Sequence, residues 1–507
     1  MDLKRRKNGK ENEVGGAINK LPEDLRCHIL SFLSTKDAAL TSVLSKSWRD
    51  LFTLIPSLDL DDSTFMPDER PEECERTSFM EFVNRVLALH SNSPITKFSV
   101  RCHKGVDSYL VGDWIVKALR RGATDVTLIL LFPSRLLHTC THPNIFFHGQ
   151  NLIKLKVGCG GLGPFQHSLF REDVIFTKLR TLHLNSIDIS RHYGDVIFAR
   201  LLSKCPVLEE LIVNCIKWHG WKSGASVSSS TLKRLTIDCE HYYHESDYML
   251  RHGPDEEDSS DNLGEPLVVP AHFGTQKPRY VSFDTPNLIY LNYADFVALN
   301  YPLVKLDSLV EARLDVGPNQ GQMRARDSDE FQAPWDATNL IMGIHNVQTL
   351  HLTSDTLEVI ADFCKMVPVF HNLNHLSIES DDERGWHALP LLLINCPSLQ
   401  TLVFHGLYHR VTDGCGDACD CISPWSSSSC LSSCPVKILN ILNFGATCGE
   451  MSLVKHFLKK MPLLEQLAIV LDLDASLEED LHLSQVFEDL RMAPRASPKC
   501  KLEVVNY

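Results

Sequence analysis

The stretch KLRTLHL, residues 178–184, shows the pattern that decides the fold of this chain. Two residues separate the apolar Leu179 and Leu182, and one residue separates Leu182 from Leu184. The same apolar spacing recurs along the chain, most often at steps of about 21 to 29 residues, which is a period found in repeat proteins. The other matches begin at Ile95, Leu152, Leu208, Leu232, Leu288, Leu309, Val347, Leu373, Leu399, Val436 and Leu464.

A fixed period in this range is typical of a solenoid, and the spacing LxxLxL is that of the strand in a leucine-rich repeat. Strands of this kind stack in parallel and bury their leucines, each of which contributes roughly 1.5–3 kcal/mol. A single repeat cannot cover both of its faces, so stability comes from contacts between neighbours. We therefore predict an α/β protein in which a parallel β-sheet is backed by outer helices. Another α/β fold with leucine-rich strands is the alternative.

The segments between the matches carry helical patterns that end at proline. Apolar stripes near Leu201, Leu392 and Phe457 indicate helices of an outer wall. Proline ends a helix and lies ahead of the strand, where its missing N–H removes no bond of the sheet. Prolines stand in this place at Pro206, Pro286, Pro397 and Pro462.

Upstream of the repeats, LPEDLRCHILSFLSTKDAALTSVLSKSWRDLFTL spans Leu21 to Leu54. Pro22 suits the first turn of a helix, and the apolar residues that follow it recur at helical spacing. Thr35 can cap a second helix, which we predict over Ala38 to Val43. A third helix is predicted over Ser45 to Phe52. So small a unit has more apolar faces than it can bury alone, so one of them packs on the rest of the chain or docks another protein.

The spacing LPxDLxxxILxFL, followed by VLSKSWRDL, resembles the F-box. In that family the motif binds a Skp-type adaptor, which links it to a cullin ubiquitin ligase. The resemblance implies that the adaptor-binding residues are Leu21, Pro22, Leu25, Ile29, Leu30, Leu33, Val43, Leu44, Ser45 and Trp48.

The repeats and the tail are similar to plant F-box proteins with leucine-rich repeats and an FBD-like end. LLSKCPVLEELIV and SFDTPNLIYLNYADFVA have this character, and MSLVKHFLKKMPLLEQLAIVL is similar to the FBD segment. We expect a disordered tail over 1–17, an F-box over 18–62, a solenoid over 63–429 and FBD-like repeats with a cap over 430–507. A disordered acidic insertion is expected over 241–278.

Composition narrows the class of protein. The net charge of −14 argues against broad nucleic-acid binding, which needs a basic surface. The sequence contains no apolar run long enough for a membrane span and begins without a secretory signal. We therefore expect a protein of the nucleus or cytoplasm that binds no membrane, with its 17 cysteines reduced.

Two local clusters leave metal or phosphate binding open. Cysteines Cys415, Cys419, Cys421, Cys430 and Cys434 lie in one serine-rich loop, with His405 and His409 nearby. Four such donors can hold zinc, but we expect reduced thiols and no metal or cofactor, because the paired C-x-x-C spacing is absent. The glycines Gly160, Gly161 and Gly163 lack the Lys of a phosphate-binding loop.

These features predict the non-catalytic, substrate-recognition subunit of a Skp–cullin–F-box ligase. A repeat scaffold that triggers no degradation is the alternative. Contact with an unidentified target protein is expected from strand positions outside the leucine template. Candidates by geometry are Thr181, His183, Glu210, Arg234, Tyr290, Gln348 and His375.

Overall fold

The computed structural model describes residues 18–44, 48–49, 51–65, 72–90, 93–103, 106, 108–130, 145–159, 174–185, 197–214, 224–239, 280–318, 322, 335–419, 429–471 and 488–505. These residues fall into two compact units. One comprises Met1–Ile187 with Ser203–Leu208, and the other Asp188–Leu202 with Glu209–Tyr507. The expected insertion over 241–278 and the glycines near residue 160 lie outside the described residues.

The first unit begins with a small helical module around one core. Helix α1 (Glu23–Leu30) and helix α2 (Thr35–Leu40) are followed by 3-10 turns at Thr41–Val43 and Leu51–Leu54. The buried residues of this core are Leu30, Ala38, Trp48, Leu51, Phe52 and Ile55. The indole Nε1 of Trp48 donates a hydrogen bond to Oδ1 of Asn19 at 2.6 Å, which satisfies the buried ring's only donor.

The helical predictions for this module need correction in three places. The second helix ends at Leu40, and a 3-10 turn follows it. The third helix was predicted over Ser45 to Phe52, but the chain forms a 3-10 turn at Leu51–Leu54. Ser34, rather than Thr35, is the N-cap, because its hydroxyl accepts a hydrogen bond from the backbone of Asp37. The Thr35 hydroxyl instead accepts from the backbone N–H of Asp59 at 2.7 Å.

The rest of the first unit is a parallel sheet with helices between its strands. Helices α3 (Glu72–Leu89) and α4 (Ser108–Arg120) connect its first three strands. Strands pair in chain order and in register. They are β1 (Ser57–Asp61), β2 (Lys97–Cys102), β3 (Asp125–Leu130), β4 (Lys154–Cys159) and β5 (Thr181–Asn185).

Gly122 ends α4. Its φ of +93° lies in the left-handed region, which an L side chain rarely adopts. The N–H of Gly122 donates to the carbonyl of Leu119, and the N–H of Ala123 donates to that of Ala118. These bonds satisfy carbonyls at the helix end and turn the chain into β3.

The second unit also consists of parallel strands with helices between some of them. In chain order these are β6 (Glu210–Asn214), β7 (Ala225–Ser228), β8 (Arg234–Asp238), β9 (Val281–Asp284), β10 (Tyr290–Phe296), β11 (Val304–Lys305), β12 (Glu311–Gly317), β13 (Thr349–Leu352), β14 (His375–Glu379), β15 (Thr401–His405), β16 (Ile438–Phe444), β17 (Gln466–Leu471) and β18 (Lys501–Val505). The helices are α5 (Ile197–Ser203), α6 (Thr338–Gly343), α7 (Ser354–Phe363), α8 (Leu389–Ile394), α9 (Cys430–Ser433) and α10 (Cys448–Lys460). None of the described helices combines the length and apolar character that a membrane crossing needs.

The main sheet of this unit is parallel and in register, in the order β6-β8-β10-β12-β13-β14-β15-β16-β17-β18. Template leucines meet across it, as in the row Leu350, Leu376 and Leu402, each at most 1% exposed. All twelve template matches lie at strands of the two units, and the predicted fold class is confirmed.

A second, three-stranded parallel sheet was not predicted. It has the order β11-β9-β7, and β9 pairs in register with β7 from Ala225↔Val281 to Ser228↔Asp284. These strands are two to four residues long and carry no leucine template, so their sequence gives only a weak alternating signal.

The C-terminal end has the order helix, strand, helix and last strand. Helix α10 starts with a capping box in which the Thr447 side chain and Glu450 exchange hydrogen bonds. Residues 488–492 are helical, and β18 pairs with β17 in register. The boundaries proposed for the FBD-like segment remain a prediction.

The core row leads to a stability prediction. Leu376→Ala removes a fully buried side chain between two neighbouring leucines, and we expect a loss of about 2–5 kcal/mol of unfolding free energy. Glu379→Ala, at an exposed position of the same strand, is the matched control and should change stability by less than about 0.5 kcal/mol. Urea unfolding followed by circular dichroism measures both. Equal effects of the two substitutions would contradict the stacked core.

Candidate functional site

The N-terminal module exposes much of its apolar surface. Val43, Phe32 and Leu44 are 83%, 77% and 73% exposed. We call the exposed apolar set the seven residues Leu25, Ile29, Phe32, Leu33, Leu40, Val43 and Leu44. Isolated exposed apolar residues are common, but seven within 20 residues of sequence are an unusual concentration of uncovered apolar side chains.

The set is exposed because each short helix of the module buries only one side. In α1, Leu30 is 1% exposed and faces the core, whereas Leu25 and Ile29 lie one turn apart on another side. Phe32 and Leu33 follow after the helix has ended, and the Phe32 ring has the His28 ring as a neighbour, with centroids 4.9 Å apart. Outward side chains therefore continue along the chain from α1 into the turn before α2.

The ten residues predicted to bind an adaptor differ in their exposure. Pro22, Leu25, Ile29, Leu33, Val43 and Leu44 are exposed, and Leu21 is partly buried. Leu30 and Trp48 instead lie in the core of the module, at 1% and 6% exposure, so their side chains are not available on its surface. Ser45 lies outside the described residues.

Sequence reasoning missed two members of the set as contact residues. Neither Phe32 nor Leu40 is among the ten residues predicted to bind an adaptor. Because α1 ends at Leu30 and α2 at Leu40, both residues lie at or beyond a helix end, where the helical spacing no longer predicts the side that faces inward. The sequence signal that could have identified Phe32 as a contact residue is its large apolar side chain just before the N-cap Ser34.

The other side of the module is fixed to the first repeats. His90, fully buried at the end of α3, places Nε2 2.8 Å from the carbonyl oxygen of Phe52 and Nδ1 3.0 Å from that of Val86. Burial lowers the pKa of His90, although both carbonyls oppose this shift. This contact and the bond between Thr35 and Asp59 use none of the exposed apolar set.

The strand positions predicted to face a target are accessible in both units. Thr181 and His183 belong to the first unit, and the second carries Glu210, Arg234, Tyr290, Gln348 and His375, none of which is in the buried class. Arg234 lies 3.4 Å from the Glu210 carboxylate and places its guanidinium 4.0 Å from the centre of the Tyr290 ring. The strand register puts these three residues in one row.

This row continues into residues that the sequence analysis did not single out. Glu311 follows Tyr290 on the next strand, its carboxylate 2.9 Å from Nε of Arg313. The register continues this row through Thr349 to His375, whereas His351 pairs with Arg313 in another row, with its ring centre 5.8 Å from that of His375. Burial and the charge of Arg313 together lower the pKa of His351 to about 4, although Glu311 opposes the shift. The sequence signal that could have identified Glu311 and His351 is the alternation of polar and apolar residues along β12 and β13.

The structure does not bring all the described cysteines of this cluster to one site. Cys430 and Cys434 are buried free thiols, and Cys421 lies outside the described residues. Ligand atoms of His409, Cys415 and Cys419 lie within 4.8 Å of one another. The other candidate imidazole, that of His405, contacts the Ser377 hydroxyl at 3.0 Å.

Two regions of the chain match known protein families. The family model of the F-box domain matches residues 18–59, which hold the exposed apolar set. The model described as FBD-associated F-box protein At5g56370, LRR repeats, matches residues 111–249.

Relatives from Arabidopsis thaliana match nearly the whole chain. F-box/LRR-repeat protein At3g59210 is 43% identical over 505 residues, covering 96% of this chain and 94% of that protein. Putative F-box/LRR-repeat protein At3g59230 is 41% identical, with 98% and 97% covered. Putative F-box/FBD/LRR-repeat protein At3g59240 is 39% identical, with 96% and 89% covered. This chain therefore belongs to the plant family of F-box proteins with leucine-rich repeats.

Proposed function

We propose that this chain is the substrate-recognition subunit of a Skp–cullin–F-box ubiquitin ligase. The observation that carries the proposal is the exposed apolar set on the F-box module. Val43 and Leu44 each leave more than two thirds of their side chain in water, next to a core that is already complete. Burial of such residues on a partner is favourable by about 25 cal/mol per Å² of apolar surface.

A helix-rich partner suits this surface. The set comes from α1, from the end of α2 and from the turns that follow them, so it offers an apolar patch with a helical backbone beneath it. Amphipathic helices bind such patches through apolar anchors at helical spacing. A Skp-type adaptor is the partner that the family relationship favours, and through it the chain would reach a cullin. Leu30 and Trp48 would support docking indirectly, by holding the module's shape.

The target side of the proposal rests on the strand faces. Arg234, Tyr290 and Glu311 form a row that mixes aromatic surface with both signs of charge. Tyr and Arg are enriched at protein interfaces because they combine apolar area with hydrogen-bond donors. The chain itself would supply no catalytic group. It would hold the target near the ubiquitin-loaded enzyme and so raise its effective concentration there.

The alternative is a repeat scaffold that binds proteins without their degradation. The strand faces would serve either role equally well, so the two functions differ only in what the F-box module does. Degradation requires the adaptor to occupy the exposed apolar set, whereas a scaffold does not.

Adaptor binding gives the first test. We expect the full chain to co-purify at equal stoichiometry with a plant Skp-type adaptor, and Val43→Asp/Leu44→Asp to lose binding by roughly 100-fold or more, since charges would face an apolar interface. The fold should persist, because both side chains are largely exposed. Met492→Asp replaces an apolar residue that is 84% exposed in the other unit and should bind like the native chain.

Co-purification of the folded double variant at native levels would overturn the proposed docking surface. A second readout separates the ligase from the scaffold. Proteins captured by both chains should accumulate in cells that express the double variant in place of the native chain. Targets whose lifetime is the same with either chain would support the scaffold.

Histidines on the strand face give a pH prediction. Because burial holds the pKa of His351 at about 4, below the 6.5 of an unfolded histidine, the unfolded chain binds the extra proton first as the pH falls. The neutral ring therefore favours the folded state fully above about pH 6.5, and this contribution is lost progressively down to about pH 4.

Between pH 7 and pH 5 the second unit should lose on the order of 2 kcal/mol through His351. The variant His351→Gln should show a correspondingly shallower pH dependence in urea unfolding. His371→Gln, at an exposed position of the same unit, is the control and should keep the native slope. Identical slopes for the native chain and His351→Gln would refute the assignment.

A further inference from the structure

The loop that follows β15 brings three metal-binding side chains together. Residues 406–419 of this loop contain His409, Cys415 and Cys419, whose Nδ1 or Nε2 and Sγ atoms lie within 4.8 Å of one another. Both cysteines are at most 2% exposed and His409 is partly buried. Two thiolates and an imidazole are the soft and borderline donors that prefer Zn²⁺ over Mg²⁺ or Ca²⁺.

The backbone forms a turn that brings the two cysteines together. Their spacing is C-x-x-x-C, within the two to four intervening residues common at structural zinc sites. The N–H of Ala418 donates to the carbonyl of Cys415 at 3.1 Å, which closes the turn. Gly416 has a φ of +58°, in the left-handed region that glycine adopts without strain. The thiols therefore meet because of a specific local conformation.

His409 is held as a metal-binding imidazole usually is. Its Nδ1 lies 3.2 Å from the carbonyl oxygen of Leu407, the kind of backbone contact that orients metal-binding imidazoles, and its side chain also hydrogen-bonds to Cys415. The ring stacks on the indole of Trp386, with centroids 4.0 Å apart and planes 12° apart. Hydrogen bond and stacking together fix the direction in which Nε2 points.

The Cys415 thiol lies among polar groups that hold its sulfur in place. The Thr412 hydroxyl lies 3.3 Å from Sγ. The His409 side chain and the backbone of Trp386 are its other hydrogen-bond partners. The sulfur of Cys415 is therefore oriented by its surroundings toward the other donors.

The turn is anchored independently of any metal. The buried carboxylate of Asp417 accepts hydrogen bonds from the backbone N–H of Cys430 at 2.8 Å and from the Ser429 hydroxyl at 3.1 Å. The carbonyl of Asp417 lies 2.9 Å from Nε2 of His456. Contacts to α9 and α10 therefore hold the donors in place, which reduces the ordering that metal binding would require.

We propose that His409, Cys415 and Cys419 bind a zinc ion in the reduced chain, with water in the fourth position. Cys419 is disulfide-bonded in this structure, so the expectation that all cysteines are reduced is wrong for this residue and the site requires reduction first. A dithiol reductant gives two electrons and two protons to the disulfide, which becomes two thiols while the reductant closes its own disulfide. Zn²⁺ then displaces one proton each from Cys415 and Cys419 and bonds to both sulfurs.

The test uses the full chain, reduced with a phosphine, freed of metal with a chelator and supplied with Zn²⁺ alone. Elemental analysis after gel filtration should find one zinc per chain. Substitution with Co²⁺ should give the thiolate-to-cobalt charge-transfer absorption of a site with two sulfurs. In Cys415→Ser this absorption should fall by about half or disappear, and His409→Asn should weaken metal binding by 10-fold or more.

Cys448→Ser is the matched control, because it removes an exposed free thiol from the same region and should leave zinc content and cobalt absorption unchanged. Circular dichroism of each variant confirms that it is folded. Less than one-tenth of an equivalent of zinc in the reduced native chain would overturn the proposal. So would native cobalt absorption in both folded variants, Cys415→Ser and His409→Asn.

Discussion

The burial of leucines between neighbouring parallel strands is the interaction on which the structure depends. In the row Leu350, Leu376 and Leu402, each side chain is covered by the same position of the strands on either side. The in-register ladder holds that coverage, because a slip of one residue would turn every leucine to the opposite face. The accessible strand positions and the loops after each strand take their places from this ladder.

A different limit governs the F-box module. Six buried apolar residues make up its core in the part of the module that the structure describes, and a module this small cannot also cover Phe32, Val43 and Leu44. His90 and the bond from Asp59 to Thr35 fix one side of the module to the first repeats. This small core has two consequences. The module depends on the repeats to cover one side, and its other side is free for a partner.

The repeat strands could be predicted from the sequence because their signal is local and recurs twelve times. The module's helices were predicted less well, since Leu30 and Ile29 are both apolar neighbours in sequence and only tertiary packing decides which one faces inward. The three-stranded sheet was missed because its strands are short and pair over long separations. The meeting of Cys415 with Cys419 depends on one left-handed turn at Gly416, which cysteine spacing alone does not reveal.

Strand stacking also fixes the distance between successive strand faces within each unit. Every strand in the ladder adds one spacing of about 4.8 Å along the sheet. Inserting or deleting a repeat within a unit would move all later strand faces by that step without changing the core of any other repeat, because each repeat contacts only its neighbours. Evolution can therefore adjust the reach of such a chain in discrete increments, while the chemistry of each strand face changes separately by substitution at positions such as Arg234 and Tyr290.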